Sequence, residues 1–313
     1  MRDINSPEFH RNYGFWNEGE QQALLDAHVA IAGVGGDGYQ LGLKLARMGV
    51  RNLTVADPEV FEPENSNRVP GATEKTYGTP KVEAFIHDVL EIDSGANITV
   101  FRDGVTEDNI EDFLKDATLC FDESELTHLQ IGTGLAREAR RRGIPNIMIM
   151  NVGFAAQGTS FHPNSKHTFE RLMGVPDGMP LDEVKDMEVD FSRCLPYIPN
   201  YGDLRTLQSI QDGASLASIA QGVDVASAIG ASEAFLHIVA GNGNHRRNPT
   251  WAPRIRWMDA MNNKSGVARF PRVSHYQHLG VAVARNLVGT FPKASYTQQD
   301  IERRTQAYEQ SSK

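Results

Sequence analysis

Glycines recur through Gly33-Val34-Gly35-Gly36-Asp37-Gly38, and an acid, Asp57, stands at the end of the next apolar run. Glycine at these positions has separate uses: Gly33 for a tight turn, Gly35 for close approach of backbone to phosphate, Gly38 for packing helix on strand. Amides at the start of the following helix would face the anion, with the positive end of the helix dipole behind them. An acid at Asp57 is placed to bind ribose hydroxyls. This chemistry is adenine-nucleotide recognition, and it leaves NAD, FAD and ATP open.

Further along, Asn65-Ser66-Asn67-Arg68 offers amides for ribose or phosphate oxygens and a guanidinium fork for a phosphate. Such residues are also common in solvated loops. Lys81 falls in the first turn of a helix opening at Thr79-Pro80, where the dipole opposes a cation; a bound anion would resolve that conflict. Asp122-Glu123-Ser124-Glu125 puts three acids just past an apolar strand, where open α/β sheets place ligands. The three acids could hold Mg²⁺ through carboxylates and water, or they could begin a helix in its favoured first turn.

The elements that must position these groups alternate. Val29–Ala32 reads as a buried parallel strand, followed by a helix with Leu41, Leu45 and Met48 on one face and Gly49 as its stop. Leu53–Ala56 is the second strand. With Thr79 as cap and Pro80 in the first position, the next helix buries Val82, Phe85, Ile86, Val89 and Leu90. Strands at Asn97–Phe101 and Ala117–Phe121 flank a helix around Asn109–Lys115. A helix over 128–142 carries Arg137, Arg140, Arg141 and Arg142 near its end, as the dipole favours, and Asn146–Asn151 is a strand. The class is α/β: a doubly wound, Rossmann-like, mostly parallel sheet.

Periodicity weakens over 157–215, which reads as a long irregular crossover or substrate loop containing Cys194. Small apolar residues between Gly213 and Gly243 then make a closely packed helix, and 251–261 is a strand with its exit. Residues 262–313 form a helical or loose extension, polar enough from Tyr296 to Lys313 to be partly disordered.

A net charge of −9 argues against general nucleic-acid or membrane-surface binding. Two cysteines, Cys120 and Cys194, exclude a disulfide scaffold and suit a reducing compartment. The first residues lack a signal-peptide core and no stretch is long enough to span a bilayer, so a cytoplasmic location is expected.

Taken together, the glycine turn, Leu45-Ala46-Arg47-Met48-Gly49-Val50, Asp57, Asn65-x-x-Arg68 and Gly78-x-Pro80-Lys81 resemble the ThiF/MoeB-type family, whose fold is shared with ubiquitin-activating enzymes. The resemblance runs from about Arg11 to Met261. It implies an adenylation domain over 1–261, with 1–27 as an N-terminal arm and 262–313 as an extension. It further implies ATP- and Mg²⁺-dependent adenylation of a carboxylate, on a ubiquitin-like protein, a peptide or a small biosynthetic acid, with release of pyrophosphate. Gly33, Gly35, Gly36 and Gly38 would line the nucleotide, Asp57 the ribose, and Asn65, Arg68 and Lys81 the phosphates; Asp122 and Glu125 would serve the metal. Arg11 matches an arginine that reaches into a partner's site, implying a homodimer.

Two departures from the family pattern stand out. Glu125-Leu126 replaces an Asp-Asn pair, which moves a carboxylate. Paired Cys-x-x-Cys motifs are missing, and His275-x-x-His278 is no substitute, so no zinc is expected. Cys194 matches the region where some relatives carry an acceptor cysteine, but only Arg193 nearby would lower its pKa, which favours a free structural thiol. Two other classes remain: an NAD(P)-dependent oxidoreductase, which lacks a Tyr-x-x-x-Lys constellation here, and a non-catalytic nucleotide-binding partner.

Overall fold

The structure, a computed structural model, describes residues 2–124, 128–187, 197, 199, 201, 217–240, 248–269 and 298–311. A 3-10 turn at Pro7–Phe9 leads into α1 (Glu18–Asp26), which starts with a reciprocal cap: Asn17 accepts from the Glu20 amide and Glu20 from the Asn17 amide, both at 2.9 Å. Then come β1 (His28–Ala32), α2 (Gly36–Met48) and β2 (Asn52–Ala56). Gly49 ends α2 at φ 109°, and its amide donates to the Leu45 and Ala46 carbonyls.

A second 3-10 turn at Pro63–Asn67 precedes α3 (Lys81–Ile92), β3 (Asn97–Phe101), α4 (Ile110–Phe113) and β4 (Leu119–Asp122). Next are α5 (Leu129–Arg142), β5 (Asn146–Val152), β6 (Ala155–Phe161), α6 (Phe169–Met173) and α7 (Leu181–Val184). The described chain resumes through α8 (Ala220–Ile238), β7 (Arg254–Asp259), β8 (Lys264–Arg269) and α9 (Gln298–Ser311).

One sheet runs in the order β3-β2-β1-β4-β5-β6-β7-β8. The first five strands are parallel and the last three join them antiparallel. Burial on both faces explains why β1, β2 and β4 are mostly apolar rather than alternating. The main core gathers Leu45, Leu53, Phe85, Phe121, Ile149 and Ala226 from α2, the central strands, α3 and α8. Small residues let α8 lie close: a Cβ at Gly230 would stand 3.0 Å from Ile149 and 3.2 Å from Leu41.

Several expectations change. Residues 157–161, read as the start of the irregular loop, complete β6, buried along its whole length. Ala-Ala-Gln-Gly-Thr-Ser-Phe carries neither alternation nor β-branched bulk because both faces pack, with Gly158 against Ile149 and Ile229. Pro80 itself, not Thr79, is the cap residue of α3, and among the described residues no side chain caps its amino end. Leu90 is exposed. The sheet continues past Met261 through β8, while the helix over 298–311 agrees with one of the two states expected of the extension. The α5 arginines have specific partners beyond the dipole: Arg141 and Arg142 donate to Glu138, and Arg140 donates to Glu170 at 2.6 Å.

Candidate functional site

The carboxyl ends of β1, β2 and β4 meet through backbone. The Gly33 amide donates to the Ala56 carbonyl at 2.8 Å, and the Glu123 amide to the Ala32 carbonyl at 2.9 Å. Gly33 sits at φ 105°, and a Cβ there would run into the Glu123 carbonyl; a Cβ at Gly38 would run into the Gly33 carbonyl. These two glycines are demanded by the protein's own packing.

Gly35 is different. Among the described residues, a Cβ there would find no atom within 4 Å, and no side chain caps the amino end of α2 that it opens. The first amides of a helix have no partners within the helix itself, and such an end favours an anion. Beside them, a Cβ at Gly36 would lie 3.8 Å from the side-chain carbons of Arg68, so that residue stands against the turn.

Asp57 ties the turn to the loop after β2. Its carboxylate accepts from the Val34 amide and from the Glu59 amide, each at 2.9 Å. Burial pushes its carboxyl up from the ordinary range, while Lys81 pulls it down. Lys81 is buried in the first turn of α3; its amide donates to the Glu59 carbonyl at 2.9 Å and its Nζ to the Glu59 carboxylate. Thus Asp57, Glu59 and Lys81 form one connected unit. The partner that settles the opposing dipole at Lys81 in this structure is Glu59, which the sequence reading passed over.

Asn65 is buried, and its Oδ1 accepts from the Glu62 amide at 3.0 Å, shaping the 3-10 turn. Arg68 follows, with Nη1 donating to the Glu64 carbonyl and to Asn67 Oδ1. Asp122 is buried at the end of β4 and accepts from Ser124 Oγ at 2.6 Å; burial pushes its carboxyl up to about 6. Glu123 reaches across to accept from the Ile149 amide at 3.2 Å, and burial together with Asp37 pushes it up as well.

Asp37 was also missed. Its carboxylate accepts from the Asn151 side chain at 2.9 and 3.0 Å and is pushed up to about 7 by burial. An acid in a helix's first turn is ordinary, so its partner far along the chain left no local signal. Arg11 lies exposed in the N-terminal arm. Glu125, Cys194, His275 and His278 lie outside the described residues. Cys120 is buried in β4, and burial pushes its thiol up. Among the described residues, no three His, Cys, Asp or Glu side chains gather as a metal site.

The sequence of the ThiF family matches residues 9–278. The tRNA threonylcarbamoyladenosine dehydratase of Escherichia coli K12 is 30% identical over 99 residues, 32% of this chain and 37% of that protein. The molybdopterin-synthase adenylyltransferase of Salmonella typhimurium is 32% identical over 109 residues, 35% of this chain and 43% of that protein. The chain therefore spans well under two thirds of the curated relatives it matches. Among solved structures, E. coli MccB with ATP superposes with a TM-score of 0.63 at 18% identity, covering 87% of this chain and 74% of that one. PaaA gives 0.62 at 16%, covering 87% and 77%. Both share the fold. With the glycine turn, Asp57, Arg68 and Lys81 assembled at one end of that fold, and the family matched from the arm to beyond β8, the chain belongs to the ThiF family.

Proposed function

We propose that this protein is an ATP- and Mg²⁺-dependent adenylyltransferase that activates a carboxylate and releases pyrophosphate. The observation that carries the reading is the uncapped amino end of α2 beneath the open face of Gly35. Triphosphate fits that cradle: it would satisfy the helix amides and draw Lys81 away from Glu59. Asp57 keeps its carboxylate oriented by two amides and offers remaining lone pairs to ribose hydroxyls.

ATP supplies an electrophilic α-phosphorus and a pyrophosphate leaving group. This chain's residues would orient and neutralise: Arg68 and Lys81 stand where phosphate charge develops, with Asn65 holding the turn that carries Arg68. Mg²⁺ needs only one or two protein carboxylates beside phosphate and water, and Asp122 offers one. Glu125 is the second ligand in this reading, and Arg11 acts from a partner subunit across a homodimer.

The acyl substrate is a carboxylate at the end of a peptide or small ubiquitin-like protein, or a small biosynthetic acid. Solved E. coli MccB structures hold ATP or MccA, which supports ATP and a second, acyl-bearing substrate here. No helix among the described residues is long and apolar enough to cross a membrane, and a cytoplasmic location belongs to the same proposal. The test is twofold: calorimetry with ATP–Mg²⁺ against NAD⁺, then exchange of labelled pyrophosphate into ATP with candidate carboxylates. ATP binding with carboxylate-dependent exchange supports adenylation. Binding of NAD⁺ with indifference to ATP overturns it.

A further inference from the structure

Beyond the residues that face the nucleotide, a continuous hydrogen-bonded line runs from the glycine turn to Arg68. At its centre is Asn151, near the end of β5. Its amide donates to Asp37 Oδ2 at 3.2 Å, and its Nδ2 to both Asp37 oxygens at 2.9 and 3.0 Å. Its own Oδ1 accepts from Ser218 Oγ at 2.9 Å, just ahead of α8. The Ser218 carbonyl accepts from Asn67 Nδ2 at 2.9 Å, and Asn67 Oδ1 accepts from Arg68 Nη1 at 2.9 Å.

The line joins elements that are remote in sequence. Asp37 lies in the first turn of α2, Asn151 on β5, Ser218 where the chain returns from the crossover loop, and Asn67 on the loop after β2. Packing holds the centre: a Cβ at Gly222, in the first turn of α8, would run into the Gly153 carbonyl and stand 3.3 Å from the Asn151 Cβ. Arg68 follows a 3-10 turn and is itself in no helix or strand, so its orientation rests on such contacts. A side-chain amide suits the centre because it donates and accepts at once; a carboxylate or an apolar side chain would break one half of the line.

We propose that Asn151 is a positioning residue: it locks the glycine turn to the start of α8 and, by way of Ser218 and Asn67, sets where the Arg68 guanidinium stands. The chain just ahead of α8 and the place where Arg68 stands are then one mechanical unit. The effect on turnover rests on the adenylation reading; the line itself does not.

Hydrogen exchange and calorimetry on the full chain separate the two. Asn151→Ala and Ser218→Ala should speed exchange of the Arg68 and Val69 amides about tenfold, while Ser218→Thr, which keeps the hydroxyl, should not. Both alanine variants should weaken ATP–Mg²⁺ binding about tenfold, and that loss should vanish in an Arg68→Ala background, as coupling through Arg68 requires. Exchange changes confined to β5 and α8, or equal losses with and without Arg68, would overturn the proposal. Should the wild type bind no ATP, the adenylation reading falls while the exchange measurement still decides the line.

Discussion

Lys81 and Glu59 are joined side chain to side chain, yet 8% of the lysine side chain and 57% of the glutamate side chain reach solvent. A buried ammonium needs a counter-charge, and in the proposed function the exposed Glu59 gives way when phosphate arrives. Replacing Lys81 with Ala should lower pyrophosphate exchange by about 100-fold or more. Glu59→Gln should tighten ATP–Mg²⁺ binding several-fold, because phosphate no longer competes with a fixed carboxylate. Calorimetry on both variants checks this; unchanged affinity in Lys81→Ala would remove the lysine from the site.

The glycines of the turn divide into two experimental classes. Gly38→Ala drives a Cβ into the Gly33 carbonyl and should destabilise the fold by about 1–3 kcal/mol. Among the described residues, Gly35→Ala meets nothing within 4 Å. It should unfold in urea within about 1 kcal/mol of the wild type and, on the proposed reading, still lose nucleotide affinity, since its methyl enters the space that reading gives to phosphate. Equal stability losses in the two would contradict that division.

Asp37 makes stability depend on pH in an unusual direction. Its carboxyl is held up to about 7 by burial, against 3.8 ordinarily. Between about pH 4 and 7 the folded chain therefore keeps a proton that the unfolded chain has released, so this contribution to stability falls as pH rises. Asp122, held up to about 6, adds a loss of the same sign over a narrower window. In Asp37→Asn the decline in Tm from about pH 6 to about pH 8 should shrink by roughly 5 °C or less, never grow. Thermal melts across that range decide it.

Arg11 is exposed in the arm, so Arg11→Ala should change stability by no more than about 0.5 kcal/mol. If it acts in a partner's site, mixing Arg11→Ala with Lys81→Ala subunits should restore activity that neither variant has alone. Random pairing leaves about a quarter of the sites with both groups intact. No recovery on mixing would place Arg11 in its own subunit's site or outside catalysis.

The parallel half of the fold was legible because its signals are local. Val29–Ala32 is continuously apolar, Gly49 stops a periodic helix, and the glycine turn announces a helix start. What escaped depends on partners far along the chain. β6 looked irregular because α8 and the flanking strands, not its own pattern, decide that it is buried on both faces. Leu90 continued a helical stripe that the neighbouring elements leave uncovered. Of the candidate site, the glycines, Asp57, Arg68 and Lys81 could be read directly. The bonds of Asp37 and Glu123 to β5 could not, since their partners lie much later in the chain.

The placement of α8 has a consequence for how the protein comes into being. This helix covers β5 and β6 and lies against α2, but it is encoded after both strands and long after α2 itself. On the ribosome β1 and β2 can pair early, whereas one face of α2 and of the growing sheet stays bare until residue 238 has emerged. That interval exposes apolar surface on a nascent chain whose parallel strands already close slowly. Chaperone capture during synthesis should accordingly begin once α2 has appeared and end when α8 docks, a window that ribosome-bound truncations can map.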